Sequence, residues 1–163
     1  MHPEAYDWIR AQAATLQGLH CVDLGGRNVN GSIRELFAPE SWTAVDLSDG
    51  PGVDIVANVT NWRPDREWDL VCSTEVLEHV STPRYVVETM AHCCRSGGTL
   101  LLTAAAPGRA PHSATGGASV PPGEHYENIE PDRLQGWVRP LVSSIDEIFF
   151  DARHGDVYLR ATK

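Results

Sequence analysis

Short apolar runs alternate with helical patterns along the chain, and this alternation predicts an α/β fold. Five runs predict parallel strands, at residues 21–24, 43–45, 53–57, 68–72 and 99–105. The run at 99–105 is almost wholly apolar, which is typical of a central strand buried on both faces. Two final runs, 144–150 and 157–161, flank a polar turn and predict an antiparallel hairpin. The pattern therefore indicates a doubly wound, seven-stranded, mostly parallel sheet.

Four stretches with helical periodicity are predicted to cover this sheet. They are residues 3–17, a helix from Ser32 to Pro39, a helix from Thr82 to Gly97-Gly98, and a helix that starts at Pro131. Ser32 and Glu35 fit the capping box S-x-x-E, which satisfies two backbone N–H groups. Thr82 stands before Pro83, and proline is favoured at the first position of a helix.

A turn of small residues follows the first predicted strand. Gly25 and Gly26 can adopt positive φ and let a ligand approach the main chain. Asn30-Gly31 offers a second flexible point. About twenty residues after the turn, Asp46 ends the second strand, where an acid accepts hydrogen bonds from ribose hydroxyls. The glycines alone would fit simple turns, but together with Asp46 they favour a nucleoside ligand.

Composition narrows the classes of partner. The net charge is −9, and the 13 Lys and Arg residues are scattered, so we expect no nucleic-acid partner. No apolar run approaches the roughly 20 residues that span a bilayer, and the N-terminal residues lack a signal-peptide pattern, so we expect a cytoplasmic protein without a membrane partner. The four cysteines form no C-x-x-C pair, and we predict no metal.

Four stretches, taken in order, resemble the class I S-adenosylmethionine-dependent methyltransferases, in the small-molecule, type 11-like branch. They are Val22-Asp23-Leu24-Gly25, Val45-Asp46, Ala57-Asn58-Val59, and the block from Asp69-Leu70-Val71 to Glu75-Val76-Leu77-Glu78-His79-Val80. The last block is the most specific, because the family commonly reads D-x-V…E-x-L-E-H there. The resemblance covers nearly the whole chain. It departs where Arg27 and Val29 replace two glycines of the family's first motif, G-x-G-x-G.

The resemblance implies a Rossmann-like methyltransferase fold with the last strand inserted between strands five and six. It also implies S-adenosylmethionine as the cofactor. The cofactor-binding residues that we predict are Asp23, Gly25, Gly26, Asn30, Gly31, Asp46, Leu47, Asn58, Val59, Ser73, Thr74 and Glu75. Asp46 is expected at the ribose and Asn58 at the adenine.

Methyl transfer to an alcohol is faster when a base beside the hydroxyl takes its proton. Side chains with polar rings are therefore the candidates for this catalytic role. These catalytic candidates are His79, His112, His125 and Tyr126. His79 is equally consistent with a structural histidine. The other three lie in the segment 106–129, which we predict to be a lid over the carboxyl edge of the sheet, with a plain surface loop as the alternative.

We therefore expect a methyltransferase that acts on an oxygen or nitrogen atom of a small molecule or sugar. The alternative is a domain that binds S-adenosylmethionine or another nucleotide without catalysis. A nucleotide-dependent dehydrogenase is disfavoured because no G-x-G-x-x-G follows the first strand. The chain has almost no insertion, so a second subunit in a homodimer is one way to complete the acceptor site.

Overall fold

The computed structural model describes residues 2–163, and these residues form a single seven-stranded sheet. The strands are β1 His20–Leu24, β2 Ser41–Asp46, β3 Ile55–Val56, β4 Trp68–Thr74, β5 Cys94–Ala105, β6 Ser144–Asp151 and β7 Asp156–Thr162. Their order in the sheet is β3-β2-β1-β4-β5-β7-β6. Strands β1 to β5 pair in parallel, and β7 runs antiparallel to both β5 and β6. The predicted fold class is confirmed, including the insertion of the last strand.

Two apolar cores lie on opposite faces of the sheet. The α-helices among the described residues are α1 Pro3–Ala13, α2 Pro83–Cys93 and α3 Pro131–Val138. Val86 of α2 and Leu134 of α3 share one core with Val22 of β1, whereas Ile9 of α1 shares the other core with Cys21 of β1. Because successive side chains of a strand point to opposite faces, α1 must cover one face and α2 with α3 the other.

The predicted helix from Ser32 to Pro39 is wrong. The structure has only a 3-10 turn at Arg34–Phe37, and the Ser32 hydroxyl accepts a bond from the Arg34 N–H at 3.3 Å instead of capping an α-helix. Ala38 is left-handed at φ 39°, directly before Pro39, so the segment ends before an α-helix can be established. The expected apolar contact remains, since Phe37 is buried in the α1 core.

Two further helix boundaries differ from the prediction. The first helix ends at Ala13 rather than residue 17. Helix α2 ends at Cys93 because Cys94 already pairs with Trp68 of β4, so Gly97 and Gly98 lie within β5 instead of stopping the helix. Across residues 2–163 the Thr82 side chain makes no capping hydrogen bond to α2.

The connections at the carboxyl ends of the parallel strands create the site. Residues 25–33 follow β1, residues 47–54 follow β2, and residues 75–82 follow β4. The segment 106–129 follows β5 and contains neither helix nor strand. Within residues 2–163 none of the helices combines the length and the apolar character needed to cross a bilayer.

Candidate active site

A cleft of about 780 Å³ opens at the carboxyl ends of β1, β2 and β4. Clefts of this size are typical of sites for cofactors and small molecules. Its walls come from the connections after these three strands and from residues 112–117 and 123–125 of the long segment. The cleft therefore lies where open α/β sheets bind their ligands.

The glycine turn after β1 packs tightly between two neighbouring strands. The N–H groups of Gly25 and Gly26 both donate to the Val45 carbonyl oxygen, at 2.7 and 3.1 Å. Gly25 has φ +86°, and a Cβ atom there would overlap the side chain of Val76. Two structural reasons thus require glycine at position 25: its positive φ and its contact with Val76. Both apply whether or not a ligand approaches the turn.

Asp46 is the last residue of β2, and two main-chain groups hold its carboxylate at the cleft. Its Oδ1 accepts a hydrogen bond from the Ser48 N–H at 3.1 Å, and its Oδ2 accepts one from the Arg27 N–H at 3.3 Å. An ionised carboxylate has about four lone-pair sites, so both oxygens can still accept bonds from a ligand.

Asp23 lies beneath the turn and is only 5% exposed. Its Oδ1 has no hydrogen-bond partner among residues 2–163. Burial, and then the nearby charge of Asp46, raise the pKa of Asp23 to about 7. A buried acceptor of this kind at the cleft fits a ligand group that brings a donor or a positive charge.

Arg27 and Val29, which replace the family's later glycines, both pack against neighbouring loops. A Cβ atom on Gly50 would lie 2.6 Å from Nε of Arg27, so this side chain covers the connection after β2. A Cβ atom on Gly116 would lie 3.2 Å from Val29, so Val29 reaches the long segment. The two side chains that depart from the motif therefore form part of the rim of the cleft.

Leu47, Asn58 and Val59 form the part of the cleft beside β3. Leu47 is 67% exposed, an apolar side chain at the cleft with space above it. The Asn58 Oδ1 accepts bonds from the Thr60 N–H at 3.0 Å and the Thr60 hydroxyl at 2.8 Å. Both lone pairs of this oxygen are then used, so Asn58 would contact a base through its amide nitrogen.

Glu75 follows β4 in a left-handed conformation, with φ 56°, which is strained for a residue with a side chain. Its Oε1 accepts a bond from the Thr103 hydroxyl at 2.9 Å, which fixes the carboxylate at the cleft. Thr74 also lines the cleft. Ser73 does not: it is fully buried and donates to the Leu24 carbonyl oxygen at 2.9 Å, so it connects β4 to β1.

A cluster of charged side chains flanks Glu75, and the sequence analysis did not find it. His2 Nε2 lies 3.0 Å from Asp156 Oδ1 and 3.7 Å from Glu75 Oε2. Arg109 donates to Asp156 at 2.8 Å. Burial opposes protonation of His2, but Asp156 and Glu4 outweigh it, and the pKa of His2 is raised. These residues are far apart in the chain, and no local pattern links them.

Three aromatic rings lie together at the other end of the cleft. The centroid of His79 is 4.9 Å from that of His112 and 5.6 Å from that of Tyr126, and His112 and Tyr126 are 5.0 Å apart. Burial, and then His112, lower the pKa of His79 to about 4, so it is neutral at physiological pH. His79, His112 and His125 line the cleft. Tyr126 packs behind the two histidines, and burial raises its pKa.

The segment 106–129 lies over the cleft; one carboxylate braces it internally, and a main-chain hydrogen bond joins it to the turn after β4. The Glu124 carboxylate accepts bonds from the Ser113 hydroxyl at 3.1 Å and the Ala114 N–H at 3.2 Å. The Glu127 N–H donates to the Glu78 carbonyl oxygen at 2.8 Å. The segment therefore has the position that the sequence predicted for a lid.

Comparison with known families decides what this fold is. Residues 4–140 match the family model described as "Methyltransferase domain". The chain belongs to this methyltransferase family. The prediction of a class I S-adenosylmethionine-dependent methyltransferase from four short motifs is thus confirmed.

Solved methyltransferases share the fold at low sequence identity. The S-adenosylmethionine-dependent methyltransferase from Mesorhizobium loti is 16% identical with a TM-score of 0.72, covering 99% of this chain and 98% of that one. The N-methyltransferase NodS from Bradyrhizobium japonicum WM9 is 12% identical with a TM-score of 0.69, covering 98% and 86%. The 1,6-didemethyltoxoflavin-N1-methyltransferase from Burkholderia thailandensis is 14% identical with a TM-score of 0.67, covering 98% and 76%. No curated protein matches this methyltransferase significantly.

The structure brings most of the predicted site residues of this methyltransferase into one cleft. Those that line it are Asp23, Gly25, Gly26, Asn30, Gly31, Asp46, Leu47, Asn58, Val59, Thr74, Glu75, His79, His112 and His125. Ser73 and Tyr126 lie behind its wall. The residues that the structure adds include His2 and Arg109, which come from outside every family-like stretch.

Proposed function

We propose that this chain transfers the methyl group of S-adenosylmethionine to an oxygen or nitrogen atom of a small molecule or sugar. The observation that carries the proposal is the position of Asp46. In a methyltransferase fold, Asp46 places its carboxyl group at the end of β2, beside a glycine turn and at the mouth of a cleft. This is the arrangement that accepts ribose hydroxyls in nucleoside-binding sheets.

The residues of the cleft fit the rest of the cofactor by their chemistry. Leu47 and Val59 offer apolar surface for adenine, and the Asn58 amide offers a donor. Asp23 has an unused buried acceptor, which fits the cofactor's positive groups. Bound S-adenosylmethionine supplies a methyl group already activated by the sulfonium. The protein's task is then mainly to orient the acceptor, because in-line transfer depends on position.

The His79 end of the cleft is where we place the acceptor. His79 is neutral, so its ring can accept a proton from an acceptor hydroxyl. A pKa near 4 makes it a weak base, so orientation by His79, His112 and His125 is the larger contribution. The segment above these rings would exclude water from the reacting atoms.

A second candidate is cofactor binding without catalysis. This candidate includes binding of another nucleotide, and Arg27 favours it because its side chain lines the cofactor end of the cleft where the family's motif has a glycine. A methyl-transfer assay on a panel of phenols, amines and sugars, with release of S-adenosylhomocysteine as the readout, separates the two candidates. Cofactor binding without product across the panel would favour the second one.

We also propose that the protein acts in the cytoplasm and that it forms a homodimer. All four cysteines are free, and all are buried. Unpaired thiols suit a reducing compartment. Light scattering of the purified protein tests the assembly.

The test of the cofactor site is calorimetric titration of S-adenosylmethionine into Asp46→Ala. Loss of the charge-assisted bonds to ribose should weaken binding by about 1.5–3 kcal/mol, or roughly tenfold to 100-fold. Asp65→Ala, which removes an exposed acid outside the cleft, is the matched control and should leave affinity unchanged. Unchanged affinity in a folded Asp46→Ala protein would contradict the ribose assignment.

A further inference from the structure

Two histidines that line the acceptor end of the cleft meet one acid that is buried behind its wall. One donor atom each from Glu78, His79 and His112 lies within 4.8 Å of the other two. Glu78 and His79 are neighbours in a 3-10 turn after β4, and His112 comes from the segment 106–129. The three side chains therefore meet only because that segment folds over the carboxyl edge.

Glu78 presents an unused oxygen in a fully buried position. The residue is 0% exposed, and its Oε1 accepts a hydrogen bond from the Ala105 N–H at 3.2 Å. Its Oε2 has no partner among residues 2–163. A buried polar atom without a partner costs about 1–3 kcal/mol. Burial, and then the charge of Glu75, raise the pKa of Glu78 well above its usual range, so a cation that displaces this proton would satisfy the oxygen.

His112 is held with one ring nitrogen free. Its Nδ1 lies 3.2 Å from the Ala110 carbonyl oxygen. A carbonyl can only accept, so Nδ1 carries the hydrogen and Nε2 keeps its lone pair. Histidines that bind metals commonly donate their other ring nitrogen to a backbone carbonyl, which fixes the tautomer and the ring orientation.

His79 is arranged in a similar way. In the described chain its Nδ1 is buried and has no hydrogen-bond partner. With the ring hydrogen on Nε2, Nδ1 presents its lone pair. Across residues 2–163, Glu78 and His79 thus each hold a buried atom with an unused lone pair, and His112 adds a third lone pair.

We propose that Glu78, His79 and His112 form a zinc-type divalent metal site at the acceptor end of the cleft. Two imidazoles and one carboxylate are a ligand set that zinc and non-haem iron accept, with at least one position open toward the cleft. Tetrahedral zinc places its ligand atoms roughly 3.3 Å apart, and the donors lie within 4.8 Å of one another, so they need to approach each other by at most about 1.5 Å. His112 can supply that movement, because it lies in a segment without helix or strand.

A second group of potential ligands, His2, Glu75 and Asp156, is less suited to a metal. Arg109 already lies 2.8 Å from the Asp156 carboxylate and 3.9 Å from Glu75. Its positive charge neutralises the carboxylates that a metal would need. The proposal for Glu78, His79 and His112 concerns binding of an ion alone, and a bound ion would occupy the lone pair that His79 offers to the acceptor in the metal-free protein.

The experiment is titration of the metal-free full chain with Zn²⁺ in competition with a chromophoric chelator. We expect one ion per chain with a dissociation constant below about 1 μM. Co²⁺ in place of zinc should give the strong visible absorption of a four-coordinate site. A dissociation constant above about 1 μM for zinc and the wild-type protein would by itself overturn the proposal.

Variants then locate the ion. His79→Ala, His112→Ala and the isosteric Glu78→Gln should each lower zinc affinity by roughly 100-fold or more and abolish the cobalt absorption. His92→Ala, an exposed histidine on α2, is the matched control and should bind as wild type does. Loss of binding in His2→Ala together with retention in His112→Ala would place the ion at the other group and overturn the proposal. Circular dichroism confirms that each variant is folded.

Discussion

The two ends of the cleft are built in different ways. At the β1–β2 end the walls are strand ends and short turns, and main-chain N–H groups fix both Gly25 relative to Val45 and Asp46 relative to Arg27. At the His79 end, the wall is a long segment that the Glu124 carboxylate braces internally and that the Glu127 N–H joins to the turn after β4. The pairing of the strands therefore determines the geometry of the β1–β2 end. The geometry of the His79 end depends on individual contacts, each of which one substitution can remove. This difference lets a family keep its cofactor and vary its acceptor.

The largest expected effect concerns Asp23 at the β1–β2 end, and it depends on pH. The folded pKa of about 7 is above the ordinary value of 3.8, so between these values the native protein holds a proton that the unfolded chain has released. Stability from this group is therefore present below about pH 4 and is lost as the pH rises to about 7. The difference between a pKa of 3.8 and one of about 7 corresponds to a change of up to about 4 kcal/mol in the free energy of unfolding.

Asp23→Asn should remove this pH dependence. Urea unfolding of the ligand-free variant should match wild type at pH 4 and exceed it by up to about 4 kcal/mol at pH 8. Asp65→Asn serves as the control, since this acid is exposed. If the free energy of unfolding varied with pH in the same way for wild type and Asp23→Asn, ionisation of Asp23 would not destabilise the folded state, which would contradict the prediction.

A second prediction concerns the glycine turn at the same end. Gly25→Ala should destabilise the fold by about 3 kcal/mol, from the left-handed backbone and from overlap with Val76. Gly18→Ala is matched to it, because Gly18 has φ +68° but open space around it, and it should cost only about 1 kcal/mol. If urea unfolding showed the same loss of stability for Gly25→Ala and Gly18→Ala, the Val76 side chain would move aside at no cost in free energy, and the predicted overlap would be wrong.

The smallest effect is expected at the His79 end. Glu124→Gln replaces the carboxylate that binds Ser113 and Ala114, and should loosen the segment by about 1 kcal/mol. Hydrogen exchange of residues 113–117 should accelerate about fivefold, while affinity for S-adenosylmethionine stays as in wild type. Glu130→Gln, an exposed acid at the start of α3, is the control. A matching loss of cofactor affinity would show that the two ends are not separable.

The sequence predicted the β1–β2 end well because its signals are local. An apolar run that ends in Asp46, and glycines directly after another run, follow from the periodicity of strands and from backbone sterics. The sheet and its antiparallel last strand were predicted for the same reason. The helix after Ser32 failed because a capping box does not reveal how few residues remain before Pro39.

The other end could not be predicted from local signals. His2 reaches Asp156 across nearly the whole length of the chain, and His112 meets His79 only through the path of a segment without regular structure. Ser73 looked like part of the site by position, but its hydroxyl is used between β4 and β1. Such contacts depend on tertiary packing, which no short pattern encodes.

The most direct test is a crystal structure of the complex with S-adenosylhomocysteine. The account predicts both ribose hydroxyls on the Asp46 carboxylate, adenine against Leu47 and Val59, and free volume left beside His79 and His112. A ligand that fills the His79 end and leaves Asp46 without contact would contradict the division of the cleft.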